Sequence, residues 1–218
     1  MFESINTWII IAYFLGAIPF SLLIGLAKGT DIRNHGSGNV GATNCGRVLG
    51  KKYGILCFIL DLTKGFLPVF LAGKYCNLIG NTSLQTTQAW AWLCVGILAV
   101  IGHVFPIWLK FKGGKGVATS AGMLLGFYPI LTFPCLALLL LWIALTLKYK
   151  MISLSSIIVA GLLPVFLLAY LKWIKPQGQA DQPFLIMSLL IAALVIYMHR
   201  SNIKRICAGT ESKIGQKK

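Results

Sequence analysis

From Gly116 to Leu147 the chain runs for 32 residues without a single charged side chain. As one helix that stretch would be roughly 48 Å long, whereas the hydrocarbon core of a bilayer is about 30 Å thick. It is too apolar to lie in water and too long for one crossing. Gly126, Pro129 and Pro134 offer places to divide it, because proline lacks a backbone donor and glycine weakens a helix. The stretch reads as a short helix over 116–127 and a longer one over 130–147. The short piece reaches only about 18 Å, so it must be sheltered by protein rather than by lipid.

The rest of the chain obeys the same constraint. Of its 218 residues 57% are hydrophobic and 11% are charged, less than half of the roughly 25% usual in soluble domains. That supply cannot coat a water-soluble globule, and the hydrophobicity excludes a disordered chain. Further segments of spanning length lie at 7–27, 52–73, 88–108, 152–171 and 184–200. The first lacks a small-residue cleavage site followed by a polar mature domain, so it reads as a retained helix. The expected fold is an all-α integral membrane protein, a single multipass domain over 1–218. It has seven transmembrane helices, one of them of half length.

Charge orients the helices. Twenty basic residues against five acidic ones give a net charge of +15. In this layout sixteen Lys and Arg fall on one side, within 28–52, 110–115, 148–150 and 200–218. Lys74, Lys172 and Lys175 fall on the other, and Lys64 lies inside a span. Basic residues mark the cytoplasmic side, so the N-terminus is expected outside and the C-terminus in the cytoplasm. In a soluble protein such an excess would suggest nucleic acid. Here topology and anionic lipid headgroups account for it, and no nucleic-acid partner is expected. The six cysteines show no metal-ligand spacing and read as packing residues, without a disulfide framework or metal site.

The polar segments on the basic side are unusual in composition. The first reads D-I-R-N-H-G-S-G-N-V-G-A-T-N-C-G-R, Asp31 to Arg47. It contains G-x-G-x-x-G, but after a membrane helix rather than after a strand, so a dinucleotide fold is not implied. The small residues Gly36, Gly38 and Gly41 let backbone amides converge on an anion, and Ser37, Asn39, Thr43 and Asn44 add donors beside Arg47. The second reads G-H-V-F-P-I-W-L-K-F-K-G-G-K-G-V-A-T-S, Gly102 to Ser120. It is no Walker loop, because Gly116 follows Lys115 where Ser or Thr should bind magnesium. Gly113, Gly114 and Gly116 still put Lys115 on a backbone able to approach a ligand, at the start of the short helix, where a phosphate is favoured.

His103 is open to two readings, a satisfied buried histidine or a member of the site. Ser153, Ser155 and Ser156 open the sixth helix, where serines commonly serve as caps. His199 and Asn202 share one face of the last helix at i, i+3 spacing. Asp61 and Lys64 have the same spacing and read as a structural ion pair. Two glycine-rich basic segments, a serine cluster and a His/Asn pair on one surface suit a phosphate-bearing substrate.

G-S-G-N-V-G-A-T-N followed by Arg47, then G-H-V-F-P and F-K-G-G-K-G-V-A-T, S-L-S-S and a terminal H-x-x-N resemble the acyl-phosphate-dependent glycerol-3-phosphate acyltransferases of bacteria. The resemblance runs from about residue 10 to 205; 74–87 and the tail after Arg205 match no usable pattern. It implies a seven-helix fold in the bacterial inner membrane with its active site near the cytoplasmic interface. The implied reaction moves a fatty acyl group from acyl phosphate to glycerol 3-phosphate, giving lysophosphatidic acid and phosphate, the first acylation of phospholipid synthesis. No cofactor is implied. Ser37, Gly38, Asn39, Arg47, Lys115 and Ser153 would line the phosphate site, His199 and Asn202 would hold the glycerol phosphate, and His103 would support them.

The chemistry is consistent with that inventory. Other glycerol-phosphate acyltransferases use H-x-x-x-x-D, but the residues five after His35, His103 and His199 are Val40, Trp108 and Lys204. An acyl phosphate already carries a good leaving group, so positioning and charge neutralisation suffice. The main rival from the sequence is a small transporter or binding protein for phosphate esters, although no repeat relates the two halves.

Overall fold

The computed structural model describes residues 2–174 and 181–215, so Lys175, Lys217 and Lys218 of the charge tally lie outside it. Among the described residues there are ten α-helices, two short 3-10 turns and no strand. In order they are α1 (Phe2–Gly16), α2 (Phe20–Ala27), α3 (Ala42–Leu49), α4 (Lys51–Tyr75), α5 (Thr86–Val104), α6 (Val117–Gly126), α7 (Thr132–Tyr149), α8 (Ile152–Trp173), α9 (Asp181–Met198) and α10 (Arg200–Cys207). Six stretches are long and apolar enough to cross a bilayer: Ile5–Ala27, Lys51–Tyr75, Thr86–Leu109, Thr132–Tyr149, Ile152–Trp173 and Asp181–Met198. The short apolar α6 completes the expected set of seven. The helices fall into two compact units, Met1–Asn81 with Trp90–Tyr128 and Thr82–Ala89 with Pro129–Lys218.

In the first unit α4 is the hub, packed by α1, α2, α3 and α6. The contact with α6 is a backbone contact. A Cβ on Gly65 would overlap the Thr119 carbonyl, and one on Gly122 would overlap that of Leu62. Small residues allow such close helix pairing without help from the hydrophobic effect. Thr119, Ser120, Gly122, Met123, Leu124 and Gly126 are buried, so the ten-residue α6, about 15 Å long, is sheltered by protein as its length requires.

The first span is not the single helix expected over 7–27. It breaks between α1 and α2 at Ala17, Ile18 and Pro19. Proline drives the preceding residue out of the helical region and cannot donate to the carbonyl four residues back. Leu22 and Leu23 both donate to Pro19 rather than to Ile18. The Ile18 carbonyl therefore lacks its i+4 helical donor; it accepts instead from the Phe20 amide at 3.1 Å and from Lys64 Nζ at 2.7 Å.

In the second unit α8 packs against both α7 and α9. Trp142 Nε1 donates to Ser156 Oγ at 3.0 Å, tying α7 to α8. Pro134 falls in the first turn of α7, where its missing donor has no helical acceptor to satisfy. The division of the 32-residue stretch thus occurs between Gly126 and Thr132.

Candidate functional site

The segment 31–47 is folded rather than an open polar loop. Asp31 opens a 3-10 turn over Ile32–Asn34, its carboxylate accepting from the Arg33 amide and guanidinium. The Arg33 hydrogen bonds hold the Asp31 carboxyl down at about 2. Gly36 and Gly38 follow with φ of 62° and 67°, a left-handed conformation that side chains resist. The chain then enters α3, an eight-residue helix that hydropathy alone had not distinguished from loop. Leu22, Ile32 and Val40 form an apolar floor, with Val48, Leu49 and Leu109 packed against it.

Asn44 is 2% exposed. Its Nδ2 donates to the carbonyls of Ile32 and His35, while its Oδ1 accepts from the Ser37 amide at 2.8 Å. Its two amide hydrogens are thus engaged inside the loop. Asn44 is a brace of the loop, not a donor to a ligand as the sequence suggested. Ser37, Thr43 and Arg47 are exposed, and Asn39 is half-buried. Arg47 occupies the last turn of α3, where a cation suits the helix dipole. The adjacent Gly46 meets Gly54 of α4 backbone to backbone. Gly50, at φ 99°, makes the turn from α3 into α4.

The second motif folds back on α5. The Gly113 amide donates to the Val104 carbonyl at 3.0 Å and the Gly114 amide to the His103 carbonyl at 3.1 Å. These two glycines therefore close the end of α5, and their amides are not directed to a ligand. Their need for glycine is steric: a Cβ on Gly113 would overlap the His103 carbonyl, and one on Gly114 the His103 imidazole. Gly116, at φ 81°, precedes α6, and no side chain caps that helix. Lys115 is half-buried between two buried glycines. The two motifs also meet, because a Cβ on Gly114 would lie only 2.9 Å from the Val40 carbonyl.

Beneath this junction lie three buried ionisable groups. Lys64 Nζ stands 2.9 Å from Asp61 Oδ1, and His103 Nδ1 stands 3.7 Å from the same oxygen. The ion pair expected from the i, i+3 spacing is present. Of the two readings of His103, burial is observed, and its imidazole also faces the glycine segment.

The remaining candidates lie in the second unit. Ser153 does not cap α8. The N-cap is Met151, Ser155 and Ser156 bond back to the carbonyls of Met151 and Ile152, and Ser153 Oγ donates to Glu211 Oε1 at 2.7 Å. The last helix does not reach residue 200. α9 ends at Met198, His199 is the N-cap of α10, and Asn202 belongs to α10. His199 Nδ1 lies 2.8 Å from the Val195 carbonyl, which can only accept, so this nitrogen carries the proton. Asn202 Nδ2 donates to Glu211 Oε1 at 2.6 Å, and Arg205 Nε donates to Oε2 at 2.7 Å.

Glu211 is the residue that sequence reasoning missed. The tail returns, with the Ile214 amide donating to the Lys150 carbonyl, and its carboxylate gathers Ser153, Asn202 and Arg205. Burial pushes the Glu211 carboxyl up, but the hydrogen bonds from Ser153, Asn202 and Arg205 outweigh it and hold the carboxyl below its ordinary value. Among the described residues there is no grouping of three His, Cys, Asp or Glu able to hold a metal ion, and all six cysteines are free.

Two glycine-braced segments carrying cations, and a polar cluster gathered by a carboxylate, sit in a wholly helical membrane protein. Residues 6–209 match the glycerol-3-phosphate acyltransferase family, and the chain belongs to that family of membrane enzymes. A glycerol-3-phosphate acyltransferase of Trichlorobacter lovleyi is 46% identical over 206 residues, covering 94% of this chain and 95% of its own. One from Aquifex aeolicus is 40% identical over 207 residues, covering 94% and 96%. Two crystal structures of PlsY, an integral membrane glycerol 3-phosphate acyltransferase, share the fold. The glycerol 3-phosphate form has a TM-score of 0.82 at 39% identity, and the lysophosphatidic acid form 0.80 at 38%; each comparison covers 97% of this chain and 96% of the other.

Proposed function

We propose that this glycerol-3-phosphate acyltransferase takes its acyl group from acyl phosphate and releases inorganic phosphate with lysophosphatidic acid. The observation that carries this reading is the junction of Gly114 with the Val40 carbonyl. It puts the segment bearing Ser37, Asn39 and Arg47 beside the one bearing Lys115. Two cations and hydroxyl or amide donors then serve a departing phosphate. The acceptor hydroxyl attacks the acyl carbonyl, the carbonyl–phosphate C–O bond breaks, and the electron pair leaves with phosphate. Positioning of this kind supplies on the order of 7–11 kcal/mol in ideal models, and oriented charges stabilise the leaving dianion further.

His199 and Asn202 are assigned to glycerol 3-phosphate. The proton of the attacking hydroxyl goes to an oxygen of the substrate's own phosphate, with His199 orienting the acceptor. Glu211 does not take that role, since its carboxylate accepts from three donors and is held acidic. The side expected to carry the basic segments faces the cytoplasm of a bacterial inner membrane.

Protein purified in detergent, given acyl phosphate and labelled glycerol 3-phosphate without CoA, is expected to form labelled lysophosphatidic acid and phosphate in equal amounts. Product only with acyl-CoA or acyl carrier protein would overturn the donor. No product from any donor would favour a carrier, which needs a sealed vesicle. His199→Gln is expected to lower kcat/KM without removing a titrating limb near pH 6–7. Loss of that limb would make His199 the general base.

A further inference from the structure

Asp61 and Lys64 lie partway along α4, in a stretch long enough to cross the bilayer, and both side chains are 4% exposed. Charges buried at such a place are costly, and a buried pair is weak evidence for stability, because well-packed apolar replacements are often neutral or better. The contacts of this pair form a continuous line. Lys64 Nζ holds the Ile18 carbonyl at the break between α1 and α2. Asp61 Oδ1 bridges Lys64 and His103. The Nε2 and Cε1 edge of the imidazole lies against Gly114, whose other neighbour is the Val40 carbonyl. All of these groups line one small cavity, with room for about a single water molecule.

We infer that Asp61, Lys64 and His103 are positioning residues for the acyl transfer: they set how the Val40 and Gly114 segments meet, and so where Arg47 and Lys115 stand. The inference rests on the reading of those segments as the phosphate site. The three residues touch no substrate. They act through the backbone, where a displacement of about 1 Å costs on the order of 100-fold in rate.

The test compares Asp61→Asn/Lys64→Met, which removes both charges together, with His103→Gln, which leaves the ion pair intact. Each is purified in detergent and measured for its unfolding midpoint, for the midpoint shift produced by inorganic phosphate alone, and for KM and kcat. The double variant is expected to unfold somewhat below the parental midpoint, because the Ile18 carbonyl loses its lysine donor, and to show KM for acyl phosphate raised roughly 10- to 100-fold, out of proportion to that loss, with kcat falling less. Its ligand-induced shift should shrink accordingly. His103→Gln should show the same split, and His103→Asn, whose amide stands nearer the position of Nδ1, should recover part of it. Parental KM in both variants overturns the inference. So does activity lost only in proportion to a lower midpoint, which marks a structural pair. Should the double variant not fold, His103→Gln decides alone. If the parent binds inorganic phosphate but does not use acyl phosphate, the donor assignment fails, while the phosphate-induced shifts still test the positioning.

Discussion

The two units hold their candidate residues by opposite means. In the first, the Lys115 segment is fixed by glycines, where backbone touches backbone and no Cβ fits, and the Ser37–Arg47 segment by the neutral Asn44 amide. In the second, Ser153 and Asn202 are fixed by one side chain, the Glu211 carboxylate. A steric brace cannot be adjusted by solution conditions, whereas a carboxylate brace titrates. The first should therefore fail by substitution alone, and the second by substitution or by acid.

The largest effect expected belongs to the cations. Lys115→Ala and Arg47→Ala should each lower kcat/KM by about 100-fold or more while eluting from a sizing column in detergent as the parent does. Normal turnover would remove the phosphate site from the first unit and with it the comparison. Next comes the steric brace: Gly114→Ala should raise KM for acyl phosphate by roughly 10-fold or more, whereas Gly161→Ala, with nothing within 4 Å of its added methyl, should match the parent. Equal behaviour of the two alanines would show that the glycine segment has slack.

For the carboxylate brace, Glu211→Ala should destabilise by about 2–4 kcal/mol, because it strands the partners of a mostly buried carboxylate. Glu211→Gln, which keeps an acceptor oxygen, should cost less. A carboxyl held below its ordinary value contributes stability at higher pH and loses it as pH falls through the lowered value. The Ile214 amide, bonded to Lys150, should accordingly stay protected from hydrogen exchange at neutral pH and lose protection only below the ordinary carboxylate range. The first unit's glycine segment should show no such transition. Smallest of all, Cys76→Ser and Cys94→Ser should change activity less than about twofold, as substitutions away from the sites do.

The spans were legible because long apolar runs admit few alternatives, and the division at Gly126–Leu131 followed from length, glycine and proline. The Lys115 segment was legible from its glycines, although for the wrong reason: Gly113 and Gly114 are small because α5 and His103 occupy the space, not because a ligand does. The break at Pro19 carried a readable signal, but hydropathy runs smoothly across it and hides the interruption. α3 was hidden by Gly46, which lowers helix propensity and is tolerated because α4 crosses there. Glu211 gave no local sign at all. It acts 58 residues from Ser153, and only the folded tail reveals that it has partners.

The opening at Ile18 bears on how the protein is assembled. A carbonyl freed in mid-span cannot be left to hydrocarbon, where each unmet polar group costs several kcal/mol. Within its own segment it meets only the Phe20 amide, at 3.1 Å; its closer donor, Lys64 Nζ, comes from a helix 46 residues later. Until α4 packs beside it, the break is therefore only half satisfied. Maturation of the first hydrophobic segment is completed by its neighbour, not by its own sequence.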